Sequence, residues 1–141
     1  MSQNQFDDLA VLMAKISHNY AILAQANKLT LNELHVLYHI ATLGPCSPSI
    51  IGNKWSLPKQ TLNSTNNKLV KKGLISFASS TTDRRKKIIS LTPAGKEFVK
   101  PIIDQINLAE KNASQQLGKS KFNKLIQIMS ELQQLLAKNL D

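Results

Sequence analysis

At 141 residues and 15.7 kDa, with 42% hydrophobic and 19% charged content, the chain can bury one core, and two independent domains are not expected. Aromatic residues make up only 5%, and Leu, Ile, Ala, Lys, Gln and Asn dominate, which excludes an all-β sandwich or barrel in favour of a mainly helical protein. The net charge of +9 points to a polyanionic partner only if it is concentrated in one part of the chain.

From Phe6 to Asn27 the apolar residues Phe6, Leu9, Met13, Ile16, Tyr20 and Leu23 recur at spacings of three and four. This predicts a long helix with one narrow apolar seam, the kind that pairs with another helix. Thr30-Leu31-Asn32-Glu33 has the form of a capping box, opening a second helix that Gly44-Pro45 ends. Ser47-Pro48 offers an N-cap and first-turn proline for a short third helix through Trp55. A fourth begins near Pro58 and runs to Lys71-Lys72-Gly73, where basic residues suit the helix C-terminus and Gly73 suits a left-handed cap.

After Gly73 the period changes. Leu74–Ser79 and Lys86–Leu91 read as two strands of a hairpin around a polar, basic turn. Thr92-Pro93 restarts a helix, with Pro101 expected to kink it. A last helix from about Ser120 carries Phe122, Leu125, Ile126, Met129, Leu132, Leu136 and Leu140 at helical spacing. Three short helices followed by a hairpin describe a winged helix-turn-helix, whose third helix enters the DNA major groove and whose hairpin reaches the flanking backbone or minor groove. The fold expected is therefore one domain over 1–141, mainly α with a small β-hairpin. Its winged-helix head occupies 29–100, between dimerisation helices at 1–28 and 101–141.

The charge agrees with that order. Residues 1–55 are balanced, and residues 101–141 carry a net +1. Residues 56–100 hold Lys59, Lys68, Lys71, Lys72, Arg84, Arg85, Lys86, Lys87, Lys96 and Lys100 against Asp83 and Glu97, a net of +8. The two arginines of the chain are adjacent, at 84 and 85. On the fourth helix Lys59, Gln60, Thr61, Asn63, Ser64, Asn67 and Lys68 are the candidate DNA contacts; an ordinary polar helix surface is the alternative.

Other chemistry finds little support. Five dispersed glycines make no phosphate-cradling loop, and no paired carboxylates or Ser/His/Asp set suggests an enzyme. His35 and His39, four apart on one helix, could share a metal, but only Glu33 lies near to complete a site, so no metal is expected. The single Cys46 cannot form an intrachain disulfide and sits among small residues. With no apolar run of bilayer length and no leader-like N-terminus, a soluble, cytoplasmic protein is expected.

The run Asp83-Arg84-Arg85-Lys86-Lys87-Ile88-Ile89-Ser90-Leu91-Thr92-Pro93-Ala94-Gly95 resembles the wing tip, second wing strand and Leu-Thr-x-x-Gly helix start of the MarR family of transcription regulators. Pro58–Asn63 and Leu69–Ile75 are similar to the family's recognition helix and its Lys-Gly-Leu exit. The resemblance implies a homodimer on double-stranded DNA, with recognition helices in successive major grooves of a pseudo-palindromic operator and a wing arginine in the minor groove. It implies Arg84, Arg85 and Lys86 as wing contacts, Asp83 as the acid that steadies the tip, and a repressor released by a small aromatic or anionic effector. Tyr20, Tyr38 and Trp55 are candidates to line the effector's pocket, or simply core. The dimerisation residues are expected among Phe6, Leu9, Met13, Ile16, Leu125, Met129, Leu132 and Leu136. The rival reading is a constitutive dimeric DNA-architecture or interaction protein without effector. One stretch departs from the family pattern: Asn63–Asn67 is wholly polar where apolar residues usually turn inward near Thr65 and Asn66, which leaves the facing of the helix open.

Overall fold

The computed structural model describes residues 4–80, 82–83 and 85–141. Among them the chain forms six helices and one two-stranded antiparallel hairpin. It divides into two compact units, one ending at Lys100 and the other spanning Pro101–Asp141.

Helix α1 (Gln5–Ala26) opens on the Asn4 side chain, which accepts from the Phe6 amide at 2.9 Å, with Asp7 and Asp8 suited to the positive end of the first turn. Only Ala24 is buried on it; Phe6, Met13 and Ile16 are exposed and Leu9 half-buried. Helix α2 (Leu31–Leu43) starts on the expected capping box: the Glu33 amide donates to Thr30 Oγ1 at 3.1 Å, and the Thr30 amide donates to Glu33 Oε1 at 2.8 Å. Helix α2 is the hub of the first unit, packing on α1, α3 (Pro48–Trp55), α4 (Lys59–Lys71) and the second strand. Leu34, Val36 and Leu37 join Ile51, Leu69 and Ile89 in its core. Before α3 the Ser47 hydroxyl does not cap the helix as expected; it lies 3.2 Å from Ser49 Oγ, and Pro48 alone sets the start.

Helix α4 ends as its sequence suggests. Gly73, at φ 75°, turns the chain so that its amide donates to Val70 and the Leu74 amide to Leu69. Strands β1 (Ile75–Ser79) and β2 (Lys87–Leu91) then pair with Phe77 opposite Ile89. A further pairing carries no mark in the sequence: Cys46 bridges to Ile89 by two backbone hydrogen bonds, of 2.8 and 3.2 Å, which ties the connection before α3 to the hairpin.

Helix α5 (Pro93–Leu117) begins on Thr92, whose hydroxyl accepts from the Gly95 amide at 2.9 Å and donates to the Gly73 carbonyl at 2.6 Å. A Cβ at Gly95 would collide with the Leu74 carbonyl. The Leu-Thr-x-x-Gly start is thus a close approach between the α4 exit and the α5 entry, for which only glycine leaves room. Helix α5 is continuous through Pro101, the residue at which the second unit begins. Gly118, at φ 107°, connects it to α6 (Lys119–Leu140), which has no buried residue: Leu125 is exposed, and Met129, Leu132 and Leu136 are half-buried.

Candidate nucleic-acid interface

The open question of α4 is its facing. Leu62 and Leu69, seven residues apart, turn inward, and Thr65 and Asn66 between them follow at 6% and 1% exposure. Two polar residues therefore occupy the usual apolar places. The Thr65 hydroxyl satisfies itself on the Thr61 carbonyl at 2.8 Å, whereas Asn66 Oδ1 is buried with no hydrogen-bond partner among the described residues. The opposite face consists of Gln60, Asn63, Ser64, Asn67 and Lys68, all exposed, at the i, i+3, i+4, i+7, i+8 positions of one helical stripe. Lys59 extends it and Thr61 is half-buried at its edge. This stripe offers carboxamides, a hydroxyl and cations, and no acid.

At the hairpin tip Asp83 acts twice. Its Oδ1 accepts from the Arg85 amide at 3.0 Å, and its carbonyl accepts from the Lys86 amide at 3.0 Å, closing a turn. Arg85 Nε stands 3.7 Å from the same Oδ1, a loose pair that leaves the guanidinium almost wholly in solvent. Lys86 is exposed beside it. Arg84 lies outside the described residues.

An ion pair between an exposed lysine and a buried acid fixes α4 against α2. Lys72 Nζ donates to Glu33 Oε2 at 2.8 Å and to the Lys28 carbonyl at 3.1 Å, and Glu33 is 2% exposed. Burial pushes the Glu33 carboxyl up, but the bonds from Lys72 and Thr30 outweigh it and hold the group below its ordinary value. The histidines serve packing. His35 stacks on Trp55 with ring centroids 4.5 Å apart, and burial lowers the pKa of both His35 and His39, with Lys54 adding to the effect at His39. Among the described residues no three potential metal ligands gather.

The family's sequence profile, described as MarR family, matches residues 29–87. Over the whole chain the structure is similar to that of NMB1585, a MarR family regulator from Neisseria meningitidis, at 30% identity and a TM-score of 0.85, covering 98% of this chain and 97% of that one. The chain belongs to the MarR family. It is a MarR-family transcription regulator with the winged-helix fold. MarR from Oenococcus oeni PSU-1 shares the fold at 16% identity and a TM-score of 0.78, covering 93% of this chain and 99% of its own. So does NadR, solved with 4-hydroxyphenylacetate, at 17% identity and a TM-score of 0.75, covering 94% and 95%. No curated protein matches the chain.

Within this MarR-family head, sequence reasoning missed two features. One is the Cys46 bridge; the other is Asn32, which with Thr30 forms one wall of a groove beside α4. The capping box was the available signal, because it sets Asn32 in an open first turn of α2.

Proposed function

We propose that the protein is a homodimeric regulator that binds double-stranded DNA in a sequence-specific way and represses until a small molecule releases it. The observation that carries this reading is the α4 stripe of Gln60, Asn63, Ser64, Asn67 and Lys68, turned outward as a unit and free of acids. Asn and Gln suit adenine edges and Ser suits several bases, while Lys59 and Lys68 suit phosphates. Arg85, with Arg84 and Lys86, serves the minor groove, whose narrow A·T tracts concentrate negative potential. Asp83 steadies the tip. A dimer built on Phe6, Leu9, Met13, Ile16, Leu125, Met129, Leu132 and Leu136 would set two α4 helices about 34 Å apart on a pseudo-palindromic operator. An effector acts by changing that spacing, and the small aromatic acid held by NadR supports a ligand of that class. The protein works by binding and catalyses nothing. This reading puts it in the cytoplasm, and among the described residues no helix is long and apolar enough to cross a membrane.

The test separates wing from helix. Arg85→Ala should weaken binding to every duplex, most at A·T-rich flanks, and lower the slope of log affinity against log salt by about one. Asn63→Ala should cost about 1 to 3 kcal/mol on the selected operator, little on random DNA, and keep the slope. An Arg85 variant with normal affinity and slope would remove the wing from the interface. Near-equal affinity of the wild type for all duplexes would replace the regulator with an architectural protein.

A further inference from the structure

We propose that the open groove between the first turn of α2 and the outer stripe of α4 seats a DNA backbone phosphate, with Asn32 as a DNA contact outside the recognition helix. The inference rests on the DNA-binding reading above and adds a residue and a ligand atom to it. The groove encloses about 360 Å³ and is walled by Thr30 and Asn32 on one side and by Gln60, Ser64 and Lys68 on the other.

Its chemistry follows from what is already spent. The Thr30 hydroxyl accepts from the Glu33 amide, and the Thr65 hydroxyl at the floor donates to the Thr61 carbonyl. The side chains of Asn32, Gln60, Ser64 and Lys68 form no hydrogen bond or ion pair with any other described residue. Four unpaired side-chain donors from two helices therefore converge on one open space, with a single positive charge among them. No carboxylate lines it: the neighbouring Glu33 is buried and neutralised by Lys72. One phosphodiester, with one negative charge on two non-bridging oxygens, matches one ammonium flanked by amide and hydroxyl donors.

Position favours the backbone of bound DNA over a free anion. Gln60, Ser64 and Lys68 stand four residues apart, and that row forms both the groove wall and the edge of the stripe carrying Asn63 and Asn67. A duplex lying on the stripe runs along the groove. The two walls are held in register by the Glu33–Lys72 pair and by the Lys72 bond to the Lys28 carbonyl. A phosphate held there fixes how far α4 rotates in the major groove, so Asn32 sets the register in which the other side chains meet base edges.

The experiment is a titration of the full chain with its selected operator and with random duplexes, in which one phosphate at a time is replaced by a neutral methylphosphonate. Asn32→Asp keeps a good first-turn helix residue and adds a negative charge, so it should fold with an unchanged melting temperature yet lose at least about tenfold in affinity on both duplexes. Asn32→Ala should lose about tenfold at an unchanged salt slope, and Lys68→Ala should lower the slope by about one. One phosphate per half-site should weaken the wild type when neutralised and have no further effect on Asn32→Ala. Wild-type affinity in Asn32→Asp overturns the seat; if Asn63→Ala and Arg85→Ala still weaken binding, the DNA reading stands without it. A loss confined to one base-pair identity makes Asn32 a base reader and overturns the phosphate assignment. Competition by millimolar inorganic phosphate at constant ionic strength, with no methylphosphonate effect, assigns the groove to a free anion and overturns it too. Failure of any duplex to bind removes both readings.

Discussion

The winged-helix head and helix α6 use the same aliphatic residues to opposite ends. In the head Leu34, Leu37, Ile51, Leu69 and Ile89 vanish from solvent around α2, and a capping box, an ion pair and a close glycine contact hold the elements that surround it. In α6 no residue is buried, and Leu125, Ile126, Ile128 and Leu135 stay between 44% and 61% exposed. The head is determined by its own chain. The α6 face is apolar surface on a scale that a monomer does not normally leave in water, and the proposed dimer would cover it.

The largest expected effect comes from breaking that face. Replacing Met129 and Leu132 together with Asp should yield a monomer by light scattering while the head's helical signal is kept. Operator affinity should fall by about two to four orders of magnitude, because the second half-site no longer acts at high effective concentration. A variant that stays dimeric would show that the α6 seam is not the interface, and one that unfolds outright would show that the head is not self-sufficient.

The converse break lies in the head. Gly95→Ala drives a methyl group into the Leu74 carbonyl, where backbone rather than a mobile side chain must yield. A loss of about 3 kcal/mol is expected from denaturant unfolding. Gly118→Ala meets open space and is opposed only by its φ of 107°, so about 1 to 2 kcal/mol is expected there. Equal costs would mean that the head has more slack than its packing implies.

Acid should distinguish the two regions by a smaller margin. Glu33 is held below its ordinary value of 4.5, so the stability it supplies is complete above that pH and drains away as pH falls through and beneath it. His35 and His39 resist protonation, chiefly through burial, so the head also loses stability as pH drops below their ordinary 6.5. Melting temperature should decline in two stages, the first beginning below pH 6.5 and the second below 4.5. Glu33→Gln should flatten the second stage at the cost of lower stability at pH 7. An unchanged second stage would show that Lys72 holds Glu33 less firmly than a 2.8 Å contact suggests.

What could be read in the sequence tracks how local its chemistry is. The starts of α2 and α5 were legible because Thr30 with Glu33, and Thr92 with Pro93 and Gly95, encode their caps within a few residues. The helix order, the hairpin and the clustered charge followed from periodicity and position. The facing of α4 did not, because Asn63–Asn67 has no apolar period and only Leu62 and Leu69, from opposite ends of the run, decide it. Ser47 had the right residue type for a cap, but its hydroxyl found Ser49 instead. The Cys46–Ile89 bridge and the Asn32 groove join residues 43 and roughly 30 positions apart, and a single tertiary pairing leaves no repeating mark on a sequence.

The smallest expected effect is at Cys46, where the sequence placed a small loop residue and the structure adds a β-bridge. Both bridge bonds are made by its backbone, so Cys46→Ser keeps them and should cost under about 1 kcal/mol. Burial pushes the thiol pKa up, so at neutral pH the group stays protonated, whereas peroxide attacks the thiolate. The chain has no second cysteine to resolve a sulfenic acid. Peroxide at concentrations that oxidise an exposed thiol should therefore release neither the wild type nor Cys46→Ser from DNA, as read by fluorescence anisotropy. If it releases the wild type and spares the variant, Cys46 reaches the oxidant through an opening of the head that its bridge to Ile89 should prevent, and the packed head rather than α6 is the part that senses.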